Sequence, residues 1–183
     1  NLLCKCFFAT NCMSLADYED IALSDKQVLR LAPANLVLYP DLINYETIDQ
    51  VLGAERACLL LFEAKPNYGH WCCLFLRNDL LEFFNPYGGY PDDSLNYIPH
   101  HFREVSNQLV PYLSILLMNS RYELSYNEHR FQKRASDIKT CGRHCAVRLA
   151  MRDYDLDEYT KLIEQLGAKL GMYPDGVVTT LTA

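Results

Sequence analysis

The chain has 183 residues, a formal charge of −6 and 50% hydrophobic residues. That length and apolar content predict one domain over residues 1–183 with a core that needs no disulfide staples, and the acidic balance argues against nucleic acid as a main partner. No apolar run reaches the roughly 18 residues of a membrane span, and residues 1–11 lack the basic start and small-residue cleavage site of a secretory signal, so a soluble protein with reduced thiols is expected.

Near the start, Cys4, Cys6 and Cys12 offer too few ligands at paired short spacings for a zinc site, and no metal is expected. Ser24-Asp25-Lys26-Gln27 is a capping-box pattern ahead of Val28, Leu29 and Leu31, which predicts a short helix. A second is expected after Asn44, with Ile48, Val51 and Leu52 as its apolar residues and Gly53 as its stop. Residues 57–63, 71–77 and 80–85 read as three strands, the last two joined at the Asn78-Asp79 turn. On such a strand Cys72 and Cys73 point to opposite faces. Residues 85–93, rich in Gly, Pro and Asp, form a loop. From residue 100 to 119, Phe102, Val105, Leu109, Leu113 and Leu116 recur at helical spacing, with Pro111 as a break or kink. Residues 122–126 read as a strand. Tyr159, Leu162, Ile163, Leu166 and Leu170 make a helical stripe closed by Gly171. Strands in the middle with helices on either side in sequence predict an α+β fold, a central mixed sheet with helices packed on it. The basic residues Arg130, Lys133, Arg134, Arg143 and Arg148 read as a solvated face.

The residues with chemical potential follow in a fixed order. Cys141 precedes a helix-forming stretch containing Val147, Leu149 and Ala150, and a helix N-terminus favours a thiolate, the form in which cysteine is a nucleophile. Gly142 would let a substrate backbone approach that turn. Acyl transfer by a thiol also needs a base, a group that orients the base, and donors for the developing oxyanion. His70 at a strand start can supply the base, and Asn85 at the end of the neighbouring strand can bind its other nitrogen. Gln132, nine residues before Cys141, can donate its amide beside the Cys141 backbone N–H. His144 and Cys145 fall in the first turn of the same helix, with Cys145 one turn along from Cys141 and expected to be buried.

"GHW" at 69–71, "FFNPYG" at 83–88, Gln132 and "TCGRHC" at 140–145 resemble the adenain-like and SUMO-protease-like cysteine peptidases, in which His, an acid or amide, Gln and Cys follow in this order. "LSDKQVLRL", "YPDL", "IDQVL" and "PDDSLNYIP" resemble the version found in large DNA viruses, virophages and related mobile elements. The resemblance implies a papain-like fold with permuted site order, Cys141 as nucleophile, His70 as base, Asn85 as third member, Gln132 as oxyanion donor and Trp71 beside the site. It implies no cofactor, and a maturation protease that cuts virion precursor proteins at Gly-containing sites in the virion, host cytoplasm or virus factory. An activating peptide, as in adenain, is compatible with it. Two departures stand out: Asn85 where the family often has Asp, and a Gln132-to-Cys141 interval longer than usual, for which Asn127 is a fallback donor. The same chemistry would serve a deconjugating enzyme acting on a ubiquitin-like tail, and a peptide-binding module without turnover is the alternative from another class.

Overall fold

The computed structural model describes residues 13–66 and 68–183. Cys4, Cys6 and Cys12, considered above for metal binding, lie outside the described residues. Five strands form one mixed sheet in chain order: β1 (Asn35–Leu38), β2 (Ala57–Lys65), β3 (Tyr68–Arg77), β4 (Leu80–Phe84) and β5 (Glu123–Tyr126). β2, β3 and β4 are antiparallel neighbours, while β1 and β5 flank them in parallel. The fold is therefore α+β, as the order of strand and helix patterns predicts.

Both faces of the sheet are covered, which explains why β2 and β3 are apolar almost throughout rather than alternating. Leu60, Phe62, Cys72, Leu74 and Phe83 pack toward α3 (Ile48–Leu52) and α5 (Tyr112–Met118). Leu59, Cys73, Phe75 and Phe84 pack toward α6 (Cys141–Ala150), α7 (Leu156–Leu170) and α8 (Pro174–Leu181). Cys72 and Cys73 thus lie in opposite cores. The first helices, α1 (Leu15–Glu19) and α2 (Asp25–Leu31), lie on the α6 side, with α1 against α8 and α2 against α6.

Ser24 and Gln27 make the expected capping box of α2. The cap of α3, however, is Thr47 paired with Gln50, not Asn44, which ends a 3-10 turn at Tyr39–Asn44. The helical pattern of 100–119 is two pieces, α4 (His100–Val105) and α5, because Asn107 takes a left-handed backbone and Pro111 caps α5. Val105 and Leu109 are exposed as a result. Arg143 and Arg148 leave the predicted solvated face entirely, since both are buried.

The β2–β3 hairpin runs past the expected ends, and His70 is inside β3, opposite Phe62. Gly69 beside it pairs with Glu63, and an added Cβ would stand 1.9 Å from the Phe62 carbonyl oxygen. Backbone meets backbone there, so no side chain can move aside. Gly69→Ala is expected to lower stability by about 1–3 kcal/mol, the usual range of an overpacked contact, in urea unfolding. Wild-type stability in that variant would mean the hairpin spreads without cost.

Candidate active site

A cleft of about 700 Å³ opens at the end of the sheet where β3 meets the N-terminus of α6. His70, Trp71, Gln132 and Cys141 all line it. Asn85, buried just past the end of β4, reaches the same place through His70: its Oδ1 is 2.8 Å from the His70 Nε2.

The orientation of the Asn85 amide decides which imidazole nitrogen is basic. Its Oδ1 accepts from the Tyr87 backbone N–H at 3.0 Å, and its Nδ2 donates to the Gly88 carbonyl at 3.1 Å and the Ser94 hydroxyl at 3.3 Å. A backbone N–H cannot accept and a carbonyl cannot donate, so the amide has one allowed orientation. His70 Nε2–H must therefore donate to Asn85, which leaves the proton-accepting lone pair on Nδ1. The backbone of Asn85 is itself clamped: Asn127 Oδ1 accepts its N–H at 2.9 Å, and Asn127 Nδ2 donates to its carbonyl at 2.7 Å and to the His129 carbonyl at 2.8 Å. Tyr87 stacks on the His70 ring with centroids 4.3 Å apart. Arg134 lies over Tyr87 and Tyr97 in turn.

Cys141 is the first residue of α6, so its backbone N–H has no partner within the helix. The N–H groups of Trp71, Gly142 and Cys141 itself favour the thiolate, yet burial outweighs them and holds the thiol above its ordinary value. Burial likewise pushes His70 down to about 4, against the opposing bond from Asn85. The expected low-pKa thiolate is thus corrected. At neutral pH the proton rests on the sulfur and the imidazole is uncharged, because nine-tenths of the cysteine is out of water and the third member carries no charge to hold an imidazolium.

Gln132 is buried, and its Nε2 donates to the Ile138 carbonyl at 3.2 Å, which leaves one amide hydrogen uncommitted. Asn127, the fallback donor, is spent on the two carbonyls described above and serves Asn85 instead. Gly142 does not open the turn to substrate: the space its Cβ would fill is bounded by Val28 at 3.1 Å and Trp71 at 3.5 Å, so it lets α6 seat against α2 and β3. Gly88 and Gly89, just after Tyr87, pack against other parts of the chain. A Cβ on Gly88 would stand 2.5 Å from the Glu128 carbonyl oxygen, and one on Gly89 2.9 Å from Asp93. Cys145 is fully buried with its thiol 3.4 Å from the Trp71 carbonyl, and the five described cysteines are all free.

His144 bonds the buried Asp175 at 3.1 Å, an acid that sequence reading missed together with the whole of α8. Its local signal was present: Pro174 at the first helical position followed by an acid in the first turn. Tyr87 and Ser94 carried no such signal, and Asn127 was singled out only as a fallback oxyanion donor, since each acts through contacts made only in the fold. Among the described residues no group of three or more His, Cys, Asp or Glu could hold a metal ion, and no helix is long and apolar enough to cross a membrane.

An uncharacterized protein of Sputnik virophage, V9, is 55% identical to this chain over 168 residues, spanning 90% of this chain and 96% of that protein. Among solved structures, the central domain of the uncharacterized Lpg1148 protein from Legionella pneumophila is similar with a TM-score of 0.41 and 16% identity, over 88% of this chain and 93% of that one. No protein-family model matches the chain.

Proposed function

The chain belongs to the family of the Sputnik virophage protein V9, and from that premise we propose that it is a cysteine endopeptidase that processes virion precursor proteins. Family membership supports the viral setting. The peptidase reading rests on one observation above all: an imidazole whose Nε2 is tied to an amide of fixed orientation, in one cleft with a cysteine at a helix N-terminus. The adenain-like, permuted papain-like arrangement is part of the same proposal.

In this mechanism His70 Nδ1 takes the Cys141 proton as the sulfur bonds to the scissile carbonyl carbon. The carbonyl π electrons move to oxygen, where the Cys141 N–H and the uncommitted Gln132 amide hydrogen receive the charge. Collapse of this intermediate breaks the C–N bond, and His70 returns the proton to the departing amine. Water, deprotonated by the same Nδ1, then adds to the thioester carbon, the C–S bond breaks, and His70 returns the proton to the Cys141 sulfur as the acid product leaves. Asn85 keeps the imidazole in the tautomer this requires. Because it is neutral, the pair transfers its proton during attack instead of resting as an ion pair. Tyr68, Trp71, Tyr87 and Tyr97 contribute aromatic side chains to the cleft around His70 and Cys141, and they limit the space for a side chain at the cut.

The pH profile follows from His70. Protonated imidazole cannot accept the thiol proton, so activity falls as pH drops through the His70 value of about 4. The acid limb of kcat/KM is expected near there, well below the ordinary histidine range. A limb near 6.5 would mean that the imidazole is solvated or ion-paired in solution.

The test of function compares three substrates in reducing buffer: peptides with Gly-Gly sites, a capsid precursor, and a ubiquitin-like fusion. Cleavage of peptide and precursor is the expected result. Cleavage of the fusion alone would replace the maturation protease with a deconjugating enzyme, and binding without turnover on any of them would overturn catalysis.

A further inference from the structure

One buried carboxylate joins the two ends of the loop that separates Gln132 from Cys141. Asp175, on the first turn of α8, is 1% exposed. Its Oδ2 accepts the backbone N–H of Lys133 at 3.0 Å, and its Oδ1 accepts the Thr140 hydroxyl at 2.5 Å and the His144 Nε2–H at 3.1 Å. Lys133 follows Gln132, and Thr140 precedes Cys141. Residues 133–137 between them are exposed, and besides Asp175 the loop is held by Lys139, with its N–H to the Glu19 carbonyl at 2.8 Å and its ammonium to Asp20 at 2.9 Å, by Arg134, which donates to the Tyr97 hydroxyl and lies over the Tyr87 and Tyr97 rings, and by the Lys133 ammonium over the Tyr173 ring.

We propose that Asp175 is the positioning residue of the oxyanion site, holding Gln132 and the Cys141 N–H in register across the eight residues between them. The inference rests on the peptidase reading above. Its physical basis is the bonding pattern. A carboxylate has acceptor capacity for three donors at once, and here two of them sit one residue away from the two groups that would receive the oxyanion. Gln132 has little other anchorage: its amide makes one bond to Ile138, inside the same loop, and its Oε1 is buried without a partner, while its backbone N–H is held by the Pro86 carbonyl at 2.9 Å. Eight residues separate Gln132 from Cys141, and the carboxylate supplies a closure at both ends of that stretch. His144 completes the cluster from α6. Its bond to Asp175 favours the ionised acid, and the carboxylate stays below its ordinary range despite burial.

Asp175→Asn preserves shape but places an N–H donor or a weaker neutral acceptor where three donors converge. The donors to an oxyanion act only in the transition state, and displacement of about 1 Å there is worth about 100-fold in rate. Asp175→Asn is therefore expected to lower kcat about 10- to 100-fold with KM changed less than about threefold. Two probes of Cys141 separate positioning from general damage. Iodoacetamide is attacked by sulfur with loss of iodide and forms no oxyanion. A tetrapeptide aldehyde ending in glycinal adds the sulfur to its carbonyl carbon, the thiol proton passing to the new oxygen, which lies where the oxyanion would be.

In Asp175→Asn the aldehyde is expected to bind about 10- to 100-fold more weakly while alkylation of Cys141 keeps its rate within about twofold. Thr140→Val, which removes one of the three bonds with little change in volume, is expected to show the same split more weakly, with Thr140→Ser restoring it. Parallel loss of both probes, or loss of neither, would overturn the positioning role. If the unsubstituted protein forms no aldehyde adduct on Cys141 at all, the peptidase reading fails and the positioning role fails with it.

Discussion

Cys141→Ala is expected to lower peptide cleavage by about four orders of magnitude or more, since a nucleophile has no substitute among groups that only bind and polarise the carbonyl. At room temperature that is a rise of more than about 5 kcal/mol in the barrier. The substitution removes one sulfur atom at a first-turn position and leaves the helix and its Asp175 contacts in place, so stability should change little. Cys145→Ala is the matching control. That thiol lies one turn along the same helix, fully buried on the Trp71 carbonyl, and its loss should leave cleavage within about tenfold of the unsubstituted rate while costing about 1 kcal/mol of stability. Steady-state rates for both variants, with urea unfolding to verify folding, measure the difference. Comparable losses in the two would remove Cys141 from its proposed role.

The largest effect on stability is expected at Arg148. Its guanidinium grips Glu82 in a bidentate pair, Nε to Oε1 at 2.7 Å and Nη2 to Oε2 at 2.8 Å, with both side chains essentially out of water. It also donates to the carbonyls of Met151 at 2.8 Å and Tyr154 at 2.9 Å, which tie down the end of α6, and it lies between the rings of Phe75 and Tyr159. Arg148→Met fills much of the space but leaves Glu82 charged and alone inside the core. The expected loss is about 3–5 kcal/mol. Adding Glu82→Leu removes the stranded charge and should restore much of that loss, though not all, because the Met151 and Tyr154 carbonyls still lack their donor. Urea unfolding of the two single variants and the double variant tests this. A loss below about 1 kcal/mol in Arg148→Met would mean that water reaches the site.

The contrast between Arg148 and His70 shows what a linear sequence can convey here. The α2 capping box, the three central strands and the long helix α7 are local patterns and each is present, though β2 and β3 run past their expected ends and Leu170, the last residue of the expected stripe, is exposed. His70, Asn85 and Cys141 were legible for a similar reason, because each sits in or at the end of a regular element, whereas Gln132 lies in the irregular stretch between β5 and α6 and had only its distance from Cys141 to mark it. Burial of a charge is different. Arg143 and Arg148 look like surface residues by type, and only the position of Glu82 on a neighbouring strand and of Thr182 after α8 explains why they are inside.

The same limit hid the electrostatics of Cys141. A helix N-terminus predicts a stabilised thiolate, but the opposing effect of burial depends on α2 and β3 closing over the first turn of α6. Asp175 was missed because its partners lie 31 to 42 residues away in sequence. The break between α4 and α5 was half visible: Pro111 announced it, while the left-handed backbone at Asn107, which widens it, had no local marker as strong.

That His70 activates Cys141 is tested by site-resolved labelling with a peptide carrying a Gly-vinyl sulfone, read by mass spectrometry across all eight cysteines. A single adduct on Cys141, lost in a folded His70→Ala variant, is the predicted result. Labelling spread over other cysteines, or adduct formation on Cys141 that persists at the same rate without His70, would contradict it.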